Sequence, residues 1–139
     1  MLRLNIIKGN PGSNTYLVDI GEKHNILSHI ISHWDTSLDV QGLIMDIRKV
    51  MSTSRDNIIL NEEGYYDEGN GNIEHEYFKP HQPYVGWGET SGLYSSKSYR
   101  DFTYTYYVSD RKNTEVVLPT AEVLEVLEKW LDFLKKEGR

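Results

Sequence analysis

A chain of 139 residues, 38% hydrophobic and 26% charged, has the length and composition of one globular domain; a chain of about 150 residues buries roughly 70% of its unfolded surface, enough for a core without staples. It has no cysteine, which excludes disulfides and thiolate metal centres and fits a reducing compartment. A net charge of −6 disfavours general binding to nucleic-acid phosphates. No stretch approaches a membrane span, and the apolar run at Leu2 is interrupted too early for a signal peptide, so the expected location is the cytoplasm.

Leu2, Leu4 and Ile6 alternate with Arg3, Asn5 and Ile7, and Tyr16, Val18 and Ile20 alternate with Thr15, Leu17 and Asp19. The turn-rich segment 9–14 between them predicts an antiparallel hairpin with a longer loop. Ile26, Leu27, Ile30, Ile31 and Trp34 share one helical face, as do Val40, Leu43, Ile44, Ile47, Val50 and Met51. Asp35, Thr36 and Ser37 are N-cap candidates for the second helix, and Gly42 inside it costs about 1 kcal/mol relative to Ala. Residues 57–61 read as a short central strand and 73–78 as another, with a glycine- and asparagine-rich turn between. Residues 80–100 show no period and read as a long loop, a feature that is usually functional or disordered. Phe102, Tyr104, Tyr106 and Val108 alternate with Thr103, Thr105, Tyr107 and Ser109, a strand. Residues 110–114 read as a turn and 115–118 as the return strand of a C-terminal hairpin. A helix beginning at Pro119-Thr120 buries Val123, Leu124, Leu127, Trp130, Leu131 and Leu134. The chain is therefore expected to be one α+β domain over residues 1–139: an antiparallel sheet of about five to seven strands packed against two or three helices.

The charge is unevenly spread. Residues 1–61 sum to zero, 77–100 to +2 and 101–139 to −2, so the segment 62–76 alone matches the whole −6. It holds Glu62, Glu63, Asp67, Glu68, Glu74 and Glu76 and no Lys or Arg. It reads either as a solvated loop or as a local negative field that attracts a basic partner. Tyr65 and Tyr66 lie within it, and Tyr84, Trp87, Tyr94 and Tyr99 follow among glycines and serines. Tyrosine supplies amphipathic contact area at low entropic cost, and binding loops use this mixture repeatedly. Tyrosines also fill strands and cover sheets, so both readings stand.

Catalytic motifs are mostly missing. His29 and His33 stand four apart on a predicted helix, a spacing that can place two imidazoles on one metal. Ile30, however, occupies the place where the His-Glu-x-x-His pattern carries its general base, and the pair flanks the apolar face. The segment 67–72 lacks the oxygen ligands of a calcium loop at Gly69 and Gly71. There is no phosphate loop, no serine elbow and no cysteine nucleophile. No catalytic residue, metal site or cofactor is assigned.

The passage Leu118-Pro119-Thr120-Ala121-Glu122, followed by Leu124, Leu127, Trp130 and Phe133, resembles the closing helix of small bacterial immunity proteins, which are encoded beside toxins of contact-dependent growth inhibition and related polymorphic toxin systems. The resemblance is confined to this passage and carries over no binding residue. It implies a protein-binding inhibitor whose partner is a cognate protein toxin, with basic nucleases among the candidates. Residues 62–76 with Trp87 and Tyr94 are the expected contact surface. Two alternatives remain: a small metal-dependent or hydrolytic enzyme using His29, His33 or His75, and an oligomeric scaffold built through the aromatic loop.

Overall fold

The computed structural model describes residues 4–8, 16–21, 25–52 and 84–139. Strands β1 (Asn5–Lys8) and β2 (Tyr16–Asp19) pair antiparallel, with Ile6 opposite Val18, as the turn chemistry between them predicts. Helix α1 (Asn25–His33) follows and buries Leu27, Ser28, Ile30 and Ile31. Ser28 accepts a hydrogen bond from the main-chain N–H of Ile20 at 3.0 Å, joining the hairpin to the helix. Helix α2 (Ser37–Met51) is capped by Thr36, whose hydroxyl accepts from the N–H of Asp39. Its apolar stripe, Val40, Leu43, Ile44, Ile47 and Val50, is buried as the spacing requires.

The predicted strands at 57–61 and 73–78 lie outside the described residues. The expectation of a loop over 80–100 is corrected by two strands, β3 (Val85–Gly88) and β4 (Tyr94–Ser98). Glycine and serine are poor strand formers by themselves; here the neighbouring strands and the burial of Trp87, Ser96 and Ser98 hold the extended backbone. Strand β5 (Phe102–Tyr107) follows. The predicted turn after it is a 3-10 turn at Val108–Asp110 and the single-turn helix α3 (Arg111–Thr114). Strand β6 (Val116–Pro119) then returns along β5 and runs directly into α4 (Thr120–Lys136). The single sheet of about five to seven strands expected from sequence is thus, among the described residues, a four-stranded antiparallel sheet in the order β3-β4-β5-β6 and a separate two-stranded hairpin. No described helix is long and apolar enough to cross a membrane.

Pairing across the sheet sorts its side chains onto two faces. Val85, Ser98, Thr103 and Leu118 line up on one, as do Trp87, Ser96, Thr105 and Val116. Trp87 and Leu118 belong to the main core together with Val18, Ile20 and the buried residues of α1, α2 and α4. Small hydroxyl side chains in mid-sheet let the helices approach closely. Thr120 donates to the carbonyl of Tyr99 at 2.7 Å, and the Thr103 hydroxyl is hydrogen-bonded with those of Thr120 at 2.9 Å and Ser98 at 3.0 Å. This buried network joins the start of α4 to the sheet. The opposite face carries Tyr99, Tyr104 and Tyr106, a second cluster flanked by Phe102 and Val117, with the Arg111 guanidinium 4.2 Å from the Tyr106 ring centre.

Helix α4 buries Val123, Val126, Leu127, Trp130 and Leu134. Val126 takes a central place that the predicted stripe omits, and Leu124 and Leu131 are half-buried at its margins. The predicted pairs Glu125–Lys129 and Asp132–Lys136 form at 3.2 and 2.9 Å.

Ser96 and Thr105, opposite one another in the sheet, have buried hydroxyl oxygens without a hydrogen-bond partner. An unsatisfied buried polar group costs about 1–3 kcal/mol, and a same-shape apolar replacement removes that cost. Thr105→Val, which keeps the β-branched shape, is therefore expected to raise unfolding free energy by about 1 kcal/mol, measured by urea denaturation.

Candidate functional site

The sheet meets α1 through Trp34, the residue after the helix. Its indole N–H donates to the carbonyl of Gly88 at 2.7 Å, fixing the end of β3 against the end of α1. Gly88 sits where no side chain fits: a Cβ there would lie 2.7 Å from the main-chain oxygen of Tyr94. The next residue, Glu89, opens the turn into β4, and this junction brings it to the two histidines of α1.

Glu89 organises that turn with its carboxylate. One oxygen accepts from the Ser91 hydroxyl, the N–H of Leu93 at 2.8 Å and the N–H of Tyr94 at 3.3 Å; the other accepts from the N–H of Ser91 at 2.9 Å. Gly92, with φ +73°, completes the reversal, a conformation that glycine adopts without the penalty of a Cβ. The Ser91 hydroxyl above all, with the N–H groups of Ser91, Leu93 and Tyr94 behind it, favours the ionised form and holds the Glu89 carboxyl down at about 2 against an ordinary 4.5.

His29 and His33 are both exposed, flanking the buried stripe as the helical wheel suggests. Their ring centres are 4.5 Å apart. The His29 ring meets Tyr94 edge-on at 4.7 Å, and Tyr94 in turn packs on Tyr107 at 5.4 Å. Nδ1 of His33 lies 2.9 Å from the carbonyl of His29. A carbonyl only accepts, so this bond assigns the proton to Nδ1 and leaves the lone pair of the neutral ring on Nε2. One donor atom from each of His29, His33 and Glu89 falls within 4.8 Å of the others.

Of the residues singled out from sequence, His29, His33 and Tyr94 come together here. Glu62, Glu63, Tyr65, Tyr66, Asp67, Glu68, Glu74 and Glu76 lie outside the described residues, as does His75. Trp87 is only 5% exposed and its indole N–H donates to Ser98 at 2.9 Å, so its ring packs in the core. Glu89 is the residue that sequence reasoning passed over. The Glu-Thr-Ser-Gly run hints at a carboxylate capping its own turn, but nothing in linear spacing connects it to His29 and His33.

No protein-family model matches this chain, and no curated protein or solved structure gives a match.

Two substitutions probe the junction. Gly88→Ala forces main chain apart and is expected to lower stability by about 1–3 kcal/mol, read by thermal or urea unfolding. Glu89 has a depressed folded-state pKa, so the stability its ionised form confers is complete above pH 4.5 and is lost as pH falls toward about 2. Glu89→Gln should accordingly unfold more easily than the native chain at pH 7, and the gap between their melting temperatures should close as the pH is lowered through that window.

Proposed function

We propose that this chain is a protein-binding inhibitor, an immunity protein that neutralises a cognate basic toxin through its acidic, tyrosine-bearing segment 62–76. The observation that carries this reading is the sequence itself: segment 62–76 has six carboxylates and no Lys or Arg, and the formal charges of the remaining residues sum to zero. Elsewhere cations and carboxylates pair with each other: Arg48 with Glu128, Arg100 with Asp101, Arg111 with Glu115, Lys129 with Glu125, Lys136 with Asp132 and Arg139 with Asp35. With formal charge outside the segment summing to zero, the attraction of a basic surface falls to Glu62, Glu63, Asp67, Glu68, Glu74 and Glu76. In a nuclease toxin that surface is the phosphate-binding cleft, and an acidic inhibitor steered to it excludes nucleic acid.

Apolar anchoring falls to Tyr65 and Tyr66, with Tyr94 and its exposed neighbours adding a second patch. Leu93 and Val108, 49% and 52% exposed, are linked by a main-chain hydrogen bond of 2.8 Å. Aromatic anchors beside a charged rim divide the labour common to tight interfaces, in which charge governs the association rate and buried rings govern dissociation.

The test is rescue and kinetics with a toxin encoded beside this chain. Expressed alone the toxin should arrest growth, and co-expression of this chain should restore it. Reversing charge at Glu62, Glu63, Asp67 and Glu68 together should slow association at low salt by about tenfold or more and flatten its salt dependence. Failure of the native chain to bind or rescue would refute the inhibitor reading; an association rate unchanged by the four reversals would refute its electrostatic half.

A further inference from the structure

We propose that His29, His33 and Glu89 form a binding site for a divalent transition-metal ion of borderline softness, Zn²⁺ foremost. The site goes beyond the inhibitor reading and does not depend on it.

The donor set comes first. Two imidazole nitrogens and one carboxylate oxygen suit Zn²⁺, Co²⁺ or Ni²⁺, whereas Mg²⁺ and Ca²⁺ prefer oxygen alone. The spacing also fits. Two histidines one helical turn apart share a face of α1, and their donor atoms lie within 4.8 Å of each other and of the Glu89 carboxylate. Ligands held at about 2.1 Å in a tetrahedral site stand roughly 3.4 Å apart. The remaining closure is small enough for side-chain adjustment, since both rings lie at the exposed surface.

The surroundings prepare each ligand. His33 is locked by its bond to the His29 carbonyl in the tautomer that presents Nε2, the arrangement by which a second partner commonly orients a metal-binding histidine. Tyr94 stacks edge-on against His29 and limits its swing. Glu89 is held by the amides of its own turn, so it is already ionised and already placed; the oxygen that accepts only from the Ser91 N–H keeps a lone pair for a cation. None of the three ligands needs a distant segment to be rebuilt.

Three protein ligands leave one tetrahedral position open. At the place where the His-Glu-x-x-His enzymes carry their base stands Ile30, fully buried. The site thus lacks that motif's general base, and an ion held there ties α1 to the β3–β4 turn with its remaining position open.

The experiment uses the whole chain, stripped with a chelator and titrated with ZnCl₂ by calorimetry, with Co²⁺ absorption as a spectroscopic report of coordination geometry. One ion per chain is expected, with intense visible Co²⁺ bands, a rise in melting temperature on adding Zn²⁺ and no competition from excess Mg²⁺. His29→Ala and His33→Ala, both at exposed positions, should keep the native circular dichroism and weaken binding at least about tenfold each. His75→Ala should leave affinity unchanged. Absence of saturable binding, or stoichiometric binding that survives both His29→Ala and His33→Ala, would overturn the assignment. Toxin rescue measured on the same two variants distinguishes loss of the metal from loss of inhibition.

Discussion

The structure depends on how the indole of Trp34 is satisfied. An aromatic N–H taken out of water without a partner is costly, and this half-buried one finds its partner at Gly88, 54 residues along the chain. The carbonyl of Trp34 in turn accepts from the indole N–H of Trp130, 96 residues away, at 2.6 Å. One residue thus ties the end of α1 to the sheet with its side chain and to α4 with its backbone. Trp34 also meets Trp87 edge-on at 6.2 Å, so polar and apolar contacts converge at the same junction. His33 precedes Trp34 and Glu89 follows Gly88, so both flank that junction.

A second constraint is that the sheet is covered on the helix side by hydroxyl-bearing residues and lined on the other by tyrosines. Serine and threonine in mid-sheet are short, which allows helices bearing Leu27, Ile30 and Trp130 to settle on them with no exposed area. Their polar atoms are largely absorbed by the network through Ser98, Thr103 and Thr120. Trp87 and Tyr94 also lie on the helix side, while on the far face the rings of Tyr84, Tyr99 and Tyr104 pack on one another. Burial pushes the Tyr99 phenol well up, so it stays neutral across the physiological range.

These arrangements separate the tasks of the chain. The described body is held by packing, with ion pairs such as Arg111–Glu115 and Lys129–Glu125 on its surface, while segment 62–76 carries six carboxylates and no Lys or Arg. The corner at His29, His33 and Glu89 belongs to the scaffold, and an ion held there would reinforce the link that Trp34 makes.

Local patterns were legible in proportion to how local their causes are. The stripes of α1, α2 and α4, the Thr36 cap, the N-terminal hairpin and the β5–β6 pairing follow from periodicity, capping and turn chemistry written within a few residues. The β3–β4 hairpin was not legible, because Gly86, Gly88, Ser95, Ser96 and Ser98 have little strand preference and are extended only through hydrogen bonds from β5 and cover from the helices. Val126 and Trp87 were likewise misjudged from outside the fold, since burial depends on what packs above a residue. Sequence alone determined that the chain is an α+β protein without thiol chemistry and that its negative charge is concentrated in 62–76, because composition and short-range spacing are properties of the chain itself. Only tertiary structure decided that Glu89 joins His29 and His33, because their meeting rests on a hydrogen bond between residues that no local rule connects.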